Sequence, residues 1–190
     1  MRTHLLLRFL VLSAVLLGLL PVSGFAQKPE PHKAPPPPPP TILGLYRYTG
    51  GGSGITGWHE FSATSTVDLS GYRGDVDTPL ILCVATPVAG VTLTFSGVNT
   101  NGAWMLAEYG GPGGVMKTLS ATDGTSLSGA TYGKNGSFTW AIPSDWTAAS
   151  FVQMWGGSSP PVSNPTGYWV RLTHHNGNFS AGTTLTGVTL

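Results

Sequence analysis

The sequence predicts an all-β fold, an antiparallel β-sandwich with the jelly roll as one topology open to it, and three observations carry that expectation. About eleven short segments between residues 42 and 190 are rich in β-branched and aromatic residues, and several alternate apolar with polar side chains. Gly, Pro, Asn and Ser separate them at short intervals. No amphipathic stretch is long enough to supply the crossover helices that a parallel sheet requires.

In chain order, residues 42–48 form the first strand, and Thr49-Gly50-Gly51-Gly52-Ser53-Gly54 ends it, because no strand interior tolerates so much glycine. That loop lacks the lysine and following helix of a phosphate-binding loop and reads as a turn. Residues 58–69 read as one long strand. Residues 78–86 are almost continuously apolar, which predicts burial on both faces. In 91–98, Val91, Leu93 and Phe95 share one face, and Thr92, Thr94 and Ser96 the other. Further strands are expected at 103–109, 115–121, 126–132, 137–142, 149–155, 167–173 and 183–190. Asn101-Gly102, Asn135-Gly136 and Asn176-Gly177 each precede an aromatic-containing run and read as hairpin turns, since both residue types accept positive φ. Helical character is confined to a turn or two in 143–149. Phe138, Trp140 and Ile142 alternate as one apolar face, which assigns Trp140 to the core.

Ahead of this domain (41–190) the chain has two other parts. Residues 1–26 read as a signal peptide: Arg2 and Arg8, a charge-free run from Phe9 to Leu20, then Ser23-Gly24-Phe25-Ala26 with small residues where a signal peptidase would inspect. Twelve continuous apolar residues fall short of the roughly 20 that a membrane-spanning helix needs, so cleavage between Ala26 and Gln27 is the expectation, and a membrane enters only if the segment stays uncleaved. Residues 27–40 form a proline-rich spacer ending in six consecutive prolines. Proline lacks an amide proton and holds φ near −65°, so this run extends as polyproline II, about 19 Å long at about 3.1 Å per residue. The expected location is secreted, extracellular or periplasmic.

Composition excludes several classes of partner. The domain carries Arg47, Arg73, Lys117, Lys134 and Arg171 against Glu60, Asp68, Asp75, Asp77, Glu108, Asp123 and Asp145, so five minus seven leaves a net charge near −2. Without a basic cluster there is nothing to release counterions from nucleic acid or to grip anionic lipid. Cys83 is the only cysteine, which excludes an intramolecular disulfide, and its apolar neighbours make it a small buried thiol.

Candidate chemistry is sparse. No Gly-x-Ser-x-Gly elbow occurs, and His59, His174 and His175 have no diagnostic local partner. His174 and His175 are adjacent on a strand and so face opposite ways, which argues against a shared metal ion. Asp75 and Asp77 are the calcium candidate, two carboxylates on one loop. The same loop contains Arg73-Gly74-Asp75, the tripeptide of integrin-binding loops, a match short enough to arise by chance. Glu60 and Glu108 make a glycosidase pair only if the fold brings them within about 5 to 9 Å.

Six tryptophans are the strongest signal. In residues 167–173, period two sets Tyr168, Val170 and Leu172 on the core face and Trp169, Arg171 and Thr173 outward. Trp169 is therefore expected as an open ring beside a guanidinium, suited to stacking on a sugar whose hydroxyls Arg171 would read, with Trp155 joining if its segment is a neighbour. The functional expectation is a secreted, non-catalytic binding module for carbohydrate or another surface ligand. A secreted hydrolase with scattered catalytic residues and a structural envelope or adhesion component are the alternatives.

Overall fold

Half-apolar strands are stable only when their apolar faces meet, and here they meet between two antiparallel sheets. The computed structural model describes residues 39–50, 57–156 and 163–190. Residues 1–26, expected as a signal peptide, residues 27–38 of the expected proline spacer and the glycine-rich 51–56 lie outside the described residues. In chain order the strands are β1 (Ile42–Thr49), β2 (Gly57–Phe61), β3 (Val67–Asp68), β4 (Thr78–Val84), β5 (Gly90–Gly97), β6 (Trp104–Gly110), β7 (Met116–Thr118), β8 (Ala121–Asp123), β9 (Gly136–Trp140), β10 (Ala149–Ser150), β11 (Thr166–His175) and β12 (Thr184–Thr189). A short helix, α1 (Phe151–Trp155), follows β10.

The first sheet runs β2-β1-β4-β11-β6-β7, with β10 also paired to β11; the second runs β3-β12-β5-β9-β8. Within these, β3-β12-β5-β9 faces β4-β11-β6-β7, and every step between chain-successive members except the β6–β7 hairpin passes from one sheet to the other. That interleaving is the double Greek key of a jelly roll. β1 and β2 extend the first sheet beyond β4, and β8 extends the second beyond β9.

Crossing between sheets explains where the strand expectations divide. Residues 58–69 split into β2 and β3 because the chain changes sheets there, turning at Ser62–Ser65, where the Ser65 amide bonds the Ser62 carbonyl. Residues 115–121 divide likewise between β7 and β8. Residues 126–132 form no strand: Ser128 and Tyr132 have φ of 52° and 59°, which a strand cannot contain. None of the three Asn-Gly pairs is a tight hairpin turn: Asn101-Gly102 and Asn176-Gly177 lie on connections between sheets, and Asn135-Gly136 ends the long β8–β9 connection within the second sheet, with Gly136 already in β9. Only Asn176-Gly177 uses its conformational freedom, at φ 60° and 62°. The others work through side chains, Asn135 Oδ1 accepting from the Phe95 amide and Asn101 Nδ2 donating to the Asn178 carbonyl.

The core lies between the sheets. Leu45, Leu80, Leu82, Val84, Val170 and Leu172 of the first meet Val91, Leu93, Phe95, Phe138, Leu185 and Val188 of the second. Trp140 is buried among them, its indole donating to the Val88 carbonyl. β4 is buried along its whole length because it is central and covered on both sides, Leu80, Leu82 and Val84 inward, Ile81 and Cys83 outward. That outward covering creates a second, smaller apolar cluster of Tyr46, Ile81, Cys83, Ala149, Phe151, Met154 and Trp169, outside the sandwich proper.

Candidate functional site

The outward face of the first sheet is built from strand register. Glu60 pairs with Tyr46, Tyr46 with Ile81, Ile81 with Arg171, and Arg171 with Glu108, so one rung crosses five strands with a carboxylate at each end. One step along, Trp169 pairs with Cys83; in the other direction come Thr173 opposite Leu106 and His175 opposite Trp104. Period two puts all of these on the side away from the sandwich core.

Trp169 does face outward, as its strand pattern requires, but it is not an open ring: it is 0% exposed. α1 covers it. This helix forms where the sequence suggests a continuing strand, because Ser150 and Gln153 make a capping box, the Ser150 hydroxyl accepting from the Gln153 amide and the Gln153 side chain accepting from the Ser150 amide. Phe151, Met154 and Trp155 then fall three and four residues apart and point at the sheet together. Gly114, at φ 76°, lets the helix settle closely, since a Cβ there would lie 2.5 Å from the Gln153 carbonyl oxygen. Under this cover Trp169 Nε1 donates to the Ala149 carbonyl at 2.7 Å, and its ring meets Tyr46, Phe151 and Trp155 at centroid distances of 5.8, 5.7 and 6.4 Å.

Trp155 and Arg171 sit at the edge of that covered layer. Trp155 is half-buried, packs on Trp58 at 5.3 Å and lies under the Arg171 guanidinium, whose carbon is 5.4 Å from the ring centre. Arg171 is held by Glu108, with Nε and Nη2 at 2.7 and 2.6 Å from one carboxylate oxygen. The three residues expected to form a ligand site are thus brought together, with Trp169 as buried support rather than surface. At the other end of the rung, the Ser163 hydroxyl donates to Glu60 at 2.7 Å, which leaves Tyr46 to donate its phenolic proton to Ser163 at 2.6 Å. Burial holds the Tyr46 phenol above its ordinary pKa, partly offset by that bond.

On β6, opposite the far end of β11, lies a residue that sequence reasoning passed over. Trp104 is 50% exposed and stacks on His175 at 4.3 Å with the planes 15° apart. The His175 Nδ1 is hydrogen-bonded to the Asp75 carboxylate. Four residues at about 3.3 Å each put His175 about 13 Å from Arg171 along the strand. The available signal was the register of β6 against β11, which a single sequence does not display.

Other candidate chemistry disperses. Glu60 and Glu108 are four strands apart, about 19 Å at about 4.8 Å per strand, well beyond the roughly 9 Å limit for a glycosidase pair. His174 points into the core, stacked on Phe179 with Nε2 at the Tyr72 carbonyl, while His175 points outward. Asp75 and Asp77 do not converge: Asp77 is buried and accepts from the Gly50 and Arg73 amides and the Arg73 guanidinium, whereas Asp75 serves His175. Among the described residues no three potential metal ligands come together. Arg73 and Asp75 are each engaged within the chain, so the tripeptide between them is not displayed as a free acid and base. Burial pushes the Cys83 thiol up to about 12, which removes it as a nucleophile at neutral pH.

The fold and this face define a two-sheet jelly roll with an aromatic layer on the outside of one sheet. No family model, no curated protein and no solved structure matches the chain.

Proposed function

We propose that this chain is a secreted, non-catalytic binding module that holds carbohydrate on the outward face of its first sheet. The observation that carries this reading is Trp104, a large ring half open to solvent and held flat by a histidine that is itself pinned by a carboxylate. A ring fixed in this way stacks on a pyranose with little loss of side-chain freedom. Trp155 offers a second ring edge, and the Arg171–Glu108 pair between them supplies donors and acceptors for hydroxyl groups. Signal-peptide removal would bring this face to extracellular polymers, with the proline segment as a spacer. Among the described residues no helix is long and apolar enough to cross a membrane.

The test is retention of the mature protein on insoluble polysaccharides, before and after Trp104→Ala. The reading expects retention by at least one polymer and its loss in a variant that melts where the parent does. Equal retention by the variant, or none by the parent, would reject it. Intact mass of the exported protein checks the cleavage, with a start at Gln27 expected.

A further inference from the structure

We infer that the ligand is an uncharged glycan chain, lying lengthwise along β11 from Trp155 to Trp104, and not an acidic polysaccharide or a free monosaccharide. This rests on the carbohydrate reading above and adds the substrate class to it.

Charge decides the first half. Residues 39–190 contain only Arg47, Arg73, Lys117, Lys134 and Arg171 as permanent cations, and the stretches 51–56 and 157–162 contain no ionisable side chain at all. Arg73 is paired with Asp77, Lys117 with Asp145 and Arg171 with Glu108. Arg47 reaches the Asp68 carbonyl of the second sheet. Lys134 lies in the turn before β9, on the second sheet. The outward face of the first sheet therefore presents one guanidinium, already neutralised, beside the carboxylates of Glu60, Glu108 and Asp75. A uronate or sulfate group placed there would meet carboxylates without a free cation, and electrostatics would oppose its approach. A neutral hexose chain incurs no such repulsion, and its hydroxyls suit groups that both donate and accept.

Spacing decides the second half. Trp104 and Trp155 flank a stretch that is about 13 Å long between Arg171 and His175, longer than one pyranose ring. Between them lie Thr173 and Leu106, half-buried, with Glu108 and Arg171 at one side. A monosaccharide would touch one ring and forgo the other. A chain engages both at once, and linked contacts of this kind multiply in affinity.

The mature protein should be assayed for retention on cellulose, chitin and a neutral β-glucan, and on alginate, polygalacturonate and heparin supports. Each is measured at about 0.02 M and about 1 M salt, which shortens the Debye length to about 3 Å. Retention on one or more neutral polymers, changing less than about twofold with salt, is expected, together with elution by soluble oligosaccharide but not by the corresponding free hexose. Trp104→Ala should weaken oligosaccharide binding about tenfold. Retention on acidic polymers alone, falling steeply with salt, would overturn this inference while leaving carbohydrate binding standing. Elution by the free hexose would overturn its chain component. Retention on none of the six would overturn both the inference and the reading beneath it.

Discussion

The outward faces of the two sheets are built by the same two-residue alternation and end up as opposites. On the second sheet, Thr92, Thr94, Ser96, Thr122 and Thr139 stand in solvent. Their neighbours bond across strands, as Thr92 does with Ser137 at 2.7 Å. On the first sheet the equivalent positions hold Tyr46, Trp58, Ile81, Cys83 and Trp169, with α1 laid over them. Alternation tells which side of a sheet a residue faces. Whether that side is wet is decided by segments outside the sheet, here a five-residue helix.

The sharpest way to break this contrast is Trp169→Ala. Removing a fully enclosed ring and orphaning the Ala149 carbonyl should cost about 3 to 5 kcal/mol in urea unfolding. If the loss is below about 1 kcal/mol, the outer layer is no second core. Next in size is Arg171→Ala, which leaves Glu108 half-buried without its cation and should cost about 2 kcal/mol. Arg171→Met with Glu108→Leu should recover most of that loss, and failure to recover would mean the pair does more than satisfy itself.

A pH titration separates the inner from the outer face of β11. Burial lowers the His174 pKa below the ordinary value of about 6.5, partly offset by the Tyr72 carbonyl and the Asp77 carboxylate. The same direction holds for His59, through burial and then the Arg47 charge. The unfolded chain therefore binds protons that the folded one does not, so stability is complete above about pH 6.5 and declines as pH falls toward the folded pKa. Unfolding midpoints between about pH 7.5 and about pH 5 should show this slope, and His174→Gln should flatten it if the variant remains folded. Asp77 acts in a lower window. Burial raises its pKa, but the Arg73 and Gly50 amides and the Arg73 guanidinium outweigh that and hold it below the ordinary range, so its contribution disappears only below about pH 4.

Smallest of all should be Thr94→Ala on the second sheet and Trp104→Ala on the first, each within about 1 kcal/mol because neither side chain is enclosed. Equal, small stability effects with unequal effects on ligand retention would mark the two faces as inert and functional respectively.

Much of the sandwich is legible in the chain because its signals are local. Val91, Leu93 and Phe95 alternate with Thr92, Thr94 and Ser96, and the structure buries the first set and exposes the second. Pattern also assigns Trp140 to the core and Arg171 to the outside. What eludes it is whatever depends on partners distant in sequence. Glu108 lies 63 positions from Arg171, and Asp75 lies 100 from His175. The openness assigned to Trp169 was lost to α1, whose one local signature, Ser150 followed three residues later by Gln153, was outweighed by the β-like run around it. The Asn-Gly pairs mislead for a related reason: their backbone freedom marks a change of direction without saying whether the next strand is a neighbour or belongs to the opposite sheet.

The placement of β12 also has a temporal consequence. This strand lies between β3 and β5, and β11 lies between β4 and β6, so the two latest of the described strands are inserted between earlier ones in both sheets. Pairings that join positions about a hundred residues apart must wait for long loops to close, and chains dominated by such contacts fold over milliseconds to seconds or longer. Until residues 166–189 have left the ribosome, β4 and β6 lack the strand that links them, and so do β3 and β5. A nascent chain that has not yet exposed these residues therefore holds no closed sandwich, and closure waits for the latest-made of the described strands.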